Sequence, residues 1–583
     1  MKRSHRLIRR SAVLLAVAAV GATVAVSVQD GVASASAPKV LYVGSIPGAT
    51  TPSDATYSTI QAAVDAAKPG STILIAPGDY HENGDAGTTS GSEAVGDGNF
   101  AAVLIHTKNL ILRGMDRNAT IVDGTASTAS TPCSSSSADQ NTLGGVGRNG
   151  IVVFKAQNVQ VSNLTVCNFL AGSGNSGNGI WWNGGADSGQ IGLKNYTGHY
   201  LTATSTYLSG SESATACVTC ALYGIFASNA TKGTLSAIYA NNQADSGVYI
   251  GACQLQCDSV VNGAWMENNA LGYSGTNSGG PMVFENSTFD NNREGFDTNI
   301  QLVGDPPPPQ DGRCPGHWVS PITGTNSCWV FENNLVEYNN NANAPVAGSA
   351  GLGPVGTGMT VSGGRNDTVM NNKFLGNVAW GALFVPFPSS STTNSDLGLT
   401  CANTGGVDGS SIGISSLNCV YDPSGDHMVN NKFSSNGTLS GTNGGDYGNL
   451  VVSGNEPTNC FSGNTEWDPT FTTQTGAATS VNATDGLPAQ TPASCGTKKA
   501  ATLTPATSLL GANTDTGFLL SAECDAGLIC LSGNPFPKYT GTTMQPVPSL
   551  PTMPNPCVGV PSNAWCPGGS PLASLRHVAA PKI

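Results

Sequence analysis

Apolar residues in this chain come in short alternating runs, and a glycine stands at the head of each. Gly224-Ile225-Phe226, Gly247-Val248-Tyr249-Ile250, Gly295-Phe296-Asp297-Thr298 and Gly358-Met359-Thr360-Val361 share the pattern. Gly224, Gly247, Gly272 and Gly295 lie 23, 25 and 23 residues apart, and Gly358 and Gly381 are again 23 apart. Alternation with period two marks half-buried strands. A fixed period in this range marks a solenoid, each repeat forming one coil. A second marker trails the core strands: Asn286-x-x-Phe289-x-Asn291, Asn371-Asn372-Lys373-Phe374-x-x-Asn377 and Asn430-Asn431-Lys432-Phe433-x-x-Asn436. Asparagine tolerates the left-handed backbone of a tight corner, and stacked amides hydrogen-bond from coil to coil. Structural ladders are therefore expected at these positions.

The opening of the chain follows another pattern. Val40 to Val43 reads as a strand, and Tyr57 to Ala67 as a short amphipathic helix with Ile60, Ala63, Val64 and Ala67 on one face. Lys68-Pro69-Gly70 stops the helix, and Thr72 to Ala76 reads as a second strand, ended by Pro77-Gly78. With Gly78-Asp79-Tyr80-His81-Glu82, this stretch resembles the N-terminal cap and first coil of the pectin-lyase-like right-handed parallel β-helix proteins. Its nearest likeness is the opening G-x-Y-x-E segment of pectinesterases. The resemblance implies an all-β, right-handed parallel β-helix and polysaccharide chemistry. It does not carry catalytic residues across. Gln310-Asp311 falls in a proline-rich loop, Asn513-Thr514-Asp515 falls outside the coils, and Asp426-His427 lacks the tryptophan of the lyase motif. Residues 38–100 are expected to form the cap and first coil, 101–476 the coils with loop insertions, and 477–583 an irregular disulfide-tied appendage rich in Pro, Ser and Thr. That appendage covers the last coil or runs along the side.

Composition agrees with strands and turns. Of 583 residues, 74 are glycine and only 10% are charged, which is poor material for amphipathic helices. Residues 1–37 read as an export signal: Lys2, Arg3, Arg6, Arg9 and Arg10, an apolar stretch, then Ala35-Ser36-Ala37 as the cleavage site. A secreted location follows, with no membrane insertion. The 16 cysteines suit that compartment and fall into eight near-neighbour pairs, although sequence alone does not give the connectivity. The net charge of -13 argues against nucleic acid and anionic membranes as partners. It also disfavours polyanionic sugars, unless a divalent cation bridges the two.

Alternation predicts where function sits. Ile180, Ile225, Val248, Tyr273, Phe296 and Met359 should point into the core, and Trp181, Phe226, Tyr249, Ser274, Asp297, Thr360 and Leu383 outward. Trp181, Phe226 and Tyr249 would form a stacking platform for sugar rings, unless a loop or the C-terminal tail covers them. Arg293, Glu294 and Asp297 form the densest ionisable cluster. Asp245 takes the matching corner two coils earlier, with Cα atoms on the order of 10 Å away. Such carboxylates serve as acid and base around a water, and Arg293 would hold a substrate carboxylate. A corner salt bridge is the competing reading. Arg313, His317 and Trp318, in an arch held by a Cys314–Cys328 staple, would close over Asp297. Two functions fit: a hydrolase or lyase acting on an extracellular polysaccharide, or a non-catalytic glycan-binding or adhesive surface protein. No cofactor is required, and no protein metal site is assigned, but Ca²⁺ stays an option: Asp245, Glu294 and Asp297 are cation-ligand candidates as well as acid and base, and a metal-bridged lyase needs at least two carboxylates converging on one oxygen-lined site. Whether the protein is an enzyme, and its oligomeric state, stay open at this stage.

Overall fold

The computed structural model describes residues 39–82, 100–172, 176–185, 191–209, 219–253, 257–300, 328–352, 355–389, 393–394, 398–412, 419–438, 445–449, 459–466 and 537–572. Ten parallel strands stack into one long ladder, the front face. They are Ala101–Ile105, Asn149–Phe154, Ile180–Asn183, Tyr223–Ser228, Ser246–Gly251, Leu271–Thr276, Glu294–Asn299, Thr357–Ser362, Trp380–Val385 and Gly445–Asn449. Two further parallel ladders complete each turn. In one coil they contribute Ser259–Asn262 (second face) and Trp265–Glu267 (third face), each paired with its counterpart in the coils before and after. The result is a right-handed parallel β-helix.

Its core is a stack of like positions. Ile151, Ile180, Ile225, Val248, Tyr273, Phe296, Met359, Ala382 and Tyr447 occupy one inward column in register and are all buried. Tyr273 and Phe296 stack with centroids 4.5 Å apart. The register also bridges long breaks in the period. Phe296 pairs directly with Met359 although 63 residues separate them.

The recurring glycine has a steric cause. A Cβ at Gly224, Gly247, Gly272, Gly295 or Gly358 would lie 2.4–2.9 Å from the backbone oxygen of the matching glycine in the next coil. No side chain fits there. Each glycine is the second residue of its strand, as in Tyr223–Ser228 and Glu294–Asn299, so coils approach closely at the bend into the front face.

The asparagines divide into two roles. Asn291, Asn333, Asn371 and Asn430 turn corners with φ of 53°, 57°, 58° and 55°. The residues after them stack. Asn292 donates to Asn339 at 2.9 Å, Asn339 to Asn377 at 3.1 Å, and Asn377 to Asn436 at 3.0 Å. A second ladder passes from Asn372 to Asn431 to Asn464.

The cap helix is Ile60–Ala66, shorter than the expected 57–67 because Thr59 caps it by accepting from the Ala62 N–H at 3.2 Å. The G-x-Y-x-E segment ties cap to coil. Glu82 accepts from the Ile60 and Gln61 N–H groups at 2.6 and 3.1 Å, and the Tyr80 hydroxyl donates to the Ala76 carbonyl at 2.9 Å. Residues 537–572 run back along the helix toward the cap. They contact Asn343, Asn268, Asn242, Asn163, Arg117 and Arg113 in turn. They end at Trp565, fully buried with its ring 5.0 Å from Tyr42.

Disulfides join Cys133–Cys167, Cys253–Cys257, Cys401–Cys419 and Cys557–Cys566, all sequential neighbours as expected. The other four expected pairs each include a cysteine outside the described residues, as does the export signal. Among the described residues no helix is long and apolar enough to cross a membrane.

Candidate functional site

The outward column of the front face reads Leu104, Val152, Trp181, Phe226, Tyr249, Ser274, Asp297, Thr360, Leu383 and Gly448, each paired with the next. Phe226 and Tyr249 therefore stand on adjoining rungs. Their rings belong to a small apolar cluster outside the core, with Leu104, Val152, Phe154, Trp181 and Tyr223.

Direction matches the sequence expectation, but exposure does not. Trp181 and Phe226 are only 6% and 8% exposed. Their rings stack on each other at 4.9 Å with a 9° interplanar angle, and Tyr223 stacks on Phe226 at 4.6 Å. Coils spaced about 4.8 Å apart bring neighbouring rings into van der Waals contact, so the flat faces lie against one another. Trp181 Nε1 also donates to Ser228 Oγ at 3.0 Å. Trp181 and Phe226 form a spine, not an open platform. Tyr249 is half-buried and retains access.

The polar half of the column holds the ionisable groups. Glu294, buried at the start of its strand, and Asp297, half-buried three residues on, converge on one hydroxyl from the next coil. Thr360 Oγ1 lies 2.7 Å from Glu294 Oε1 and 2.6 Å from Asp297 Oδ1. Asp297 also accepts from Asn299 Nδ2 at 2.7 Å and from Ser362 Oγ at 3.4 Å. Burial raises both carboxyls. For Glu294 the Asp297 charge adds to burial and pushes it well above the usual range, against the opposing pull of Thr360 and Arg293. For Asp297 three hydrogen bonds oppose the rise. Asp245, half-buried two coils earlier, is pushed up to about 7, mainly by burial. Tyr223 and Ser246 bonds lower it, and the Asp297 charge raises it further. Asp245, Glu294 and Asp297 thus form one electrostatic unit.

Arg293 does not face outward. It is 1% exposed, and its Nη1 donates to the Ala342 carbonyl at 3.0 Å. The expected substrate-carboxylate hand is a strut beneath residues 340–352, because its corner turns inward under that segment. Arg313, His317 and Trp318 lie outside the described residues. Thr360 escaped the sequence reading as a site residue. Its outward parity was visible, but its role required knowing that its coil follows that of Asp297 directly.

Asp79, His81 and Asp123 also converge within metal-ligating distance. They do not suit Ca²⁺. His81 is raised to about 9, chiefly by its bond to Asp79 at 3.1 Å, and so carries a charge of its own. Asp123 spends both oxygens on the Thr125 and Cys133 N–H groups. Ca²⁺ prefers six to eight oxygen ligands.

No protein-family model and no curated protein matches this chain. Among solved structures, it is similar to the A-module of the Azotobacter vinelandii mannuronan C-5 epimerase AlgE4, at 11% identity and a TM-score of 0.37, over 73% of this chain and 95% of that one. It is also similar to the tailspike protein of E. coli bacteriophage HK620 in complex with pentasaccharide, at 11% identity and 0.37, over 74% of this chain and 59% of that one. A rhamnogalacturonan lyase matches at 13% identity and 0.37, over 59% of this chain and 74% of that one.

Proposed function

We propose that this chain is a secreted carbohydrate-active enzyme that hydrolyses an extracellular polysaccharide at the front face. The observation that carries the reading is the single Thr360 hydroxyl between two carboxyl oxygens at 2.7 and 2.6 Å. One hydroxyl has one proton to give. It donates to the Asp297 carboxylate and accepts from Glu294, which burial keeps protonated. That arrangement supports Asp297 as the base, with Glu294 as the neutral acid behind it. Asp245, raised to about 7, is the group on the open side that can hold a proton at neutral pH and release it.

Asp245 donates its proton to the glycosidic oxygen as the bond to the anomeric carbon breaks. Asp297 takes a proton from the water that attacks that carbon. Glu294 and Thr360 position Asp297, and Tyr249 offers an aromatic edge two rungs away. These steps run through carboxyls and use no cation. Ca²⁺ would serve only to bridge an anionic substrate. Disulfide pairing at the described cysteines supports secretion.

The test is incubation of the mature protein with neutral and acidic glycans, with and without Ca²⁺. New reducing ends without ultraviolet-absorbing products support hydrolysis. Reducing ends with absorbing, unsaturated products would replace it by elimination. Binding without any product would leave a glycan-binding or adhesive surface protein.

A further inference from the structure

The edge where each of the first five coils enters its second face carries an exposed lysine: Lys68 after the cap helix, then Lys108, Lys155, Lys194 and Lys232. Main-chain hydrogen bonds put these turns on consecutive rungs. Gly70 N–H donates to Asn109 O at 3.0 Å, Asn109 N–H to Gln157 O at 2.9 Å, Asn158 N–H to Lys194 O at 3.0 Å, and Asn195 N–H to Thr231 O at 3.0 Å. Between the lysines runs an exposed amide ladder. Asn195 Nδ2 donates to Asn158 and Asn158 Nδ2 to Asn109, both at 2.7 Å. In the sixth coil Asp258 takes the place of Lys232, as the Lys232 N–H bond to Cys257 O shows, and the stripe stops.

Five of the nine lysines among the described residues lie on this one edge, in a chain whose net charge is -13. At its head is a depression of about 440 Å³ lined by Pro69, His106, Thr107, Lys108, Lys155 and Gln157. Lys155 Nζ sits 5.4 Å from the centre of the Phe154 ring, which belongs to the Trp181–Phe226 spine. The stripe therefore borders the front face on its N-terminal half.

We infer that this lysine stripe binds an anionic glycan, with carboxylate or sulfate groups of successive sugars lying along successive coils. The lysines do not share one register position, since Lys194 pairs with Thr231, but one exposed lysine per coil along a single edge concentrates positive charge, which a polymer carrying an anion on its successive sugars relieves. A pyranose ring repeats along its chain at nearly the coil spacing, so successive sugars meet successive lysines, with the Asn109, Asn158 and Asn195 amides beside the middle three. The net charge averages over the whole chain and hides this edge. The inference rests on the glycan reading above for the kind of polymer, not for the reaction.

The experiment is retention of the full-length protein on immobilised polygalacturonate (carboxylated), heparin (sulfated), neutral dextran and single-stranded DNA, each across a salt series. Two variants are compared, after circular dichroism melting confirms their fold. One carries Lys108→Glu, Lys155→Glu, Lys194→Glu and Lys232→Glu. The other carries Lys373→Glu, Lys432→Glu and Lys538→Glu, a comparable change of charge away from this edge. If the first set does not fold, Lys→Gln at the same four positions replaces it. The wild type and the second variant should bind one or both anionic glycans in a salt-dependent way. The first variant should lose about tenfold or more, with its salt dependence flattened by roughly one power per lysine. Equal loss in both variants, no retention of the wild type on either anionic glycan, or stronger retention on DNA or dextran would overturn the inference. Binding and cleavage fail separately. A protein that binds but never cleaves keeps the stripe and loses the hydrolase reading, and one that cleaves while the first variant still binds does the reverse.

Discussion

Asp367 and Asp426 stand where other coils place ladder asparagines. Asp367 N–H donates to Asp426 Oδ1 at 2.9 Å, and Asp426 N–H donates to Asn459 Oδ1 at 3.0 Å. In the asparagine rungs the second side-chain atom is an amide donor, as when Asn431 Nδ2 donates to the Val369 carbonyl. An aspartate has no hydrogen to offer there unless it is protonated. Asp367 Oδ1 and Asp426 Oδ2 are buried without a hydrogen-bond partner, and burial holds both carboxyls well above the usual range, the Asp367 charge adding to the rise at Asp426. Arg365 opposes the rise at Asp426, and the Trp329 N–H opposes it at Asp367. Folding therefore favours the protonated form of each. The folded state then binds more protons than the unfolded one, so stability is full below the unfolded carboxylate pKa of about 3.9 and falls as pH climbs toward the folded values. Asp367→Asn and Asp426→Asn should each raise stability at pH 7 by about 1–3 kcal/mol, and the gain should vanish near pH 4. Urea melts across pH check this; a loss of stability at pH 7 would refute it. The asparagine marker itself was legible in sequence because it repeats. The meaning of Asp426 was not, because a lone Asp-His pair gives no hint that it stacks between Asp367 and Asn459.

Among elements, the C-terminal strap is the least legible. Its partners are chiefly its own carbonyls. Arg113 donates to Pro556 O at 2.9 Å and Val558 O at 2.6 Å, Asn118 to Leu550 O at 2.9 Å, and Asn268 to Thr543 O at 2.9 Å. Carbonyls leave no side-chain pattern, so sequence could place the segment beside the coils but could not name what it touches. The coil strands are the opposite case, since every contact repeats and period-two alternation states it directly. The aromatic row shows where alternation stops: it gives direction, not exposure, and rings on adjacent rungs cover one another. The strap also anchors Arg113 and Arg117, whose guanidinium groups burial lowers to about 10. Trp565→Ala should cost about 3–5 kcal/mol, and deletion of 537–583 should cost more, since it strips partners from buried cations. Thermal melts measure both; a melt unchanged by Trp565→Ala would show that the strap does not brace the cap.

At the scale of the molecule, winding turns distance along the chain into proximity. Asp245 and Asp297 come from coils two apart, and Thr360 from the next coil after a long insertion. The proposed acid–base unit lies on the front face, and the lysine edge flanks its N-terminal half. If Asp245 is the proton donor, the rate should fall on the alkaline side with a limb near pH 7, the value to which burial raises it, and Asp245→Asn should remove that limb with most of the rate. The most direct test of the whole account is turnover by Asp297→Asn beside the wild type, on the glycan that the panel selects, with binding measured calorimetrically on the same samples. The account predicts a loss of about 10²–10⁴-fold in rate, with affinity held within a few-fold. A variant that still turns over at close to the wild-type rate would contradict it.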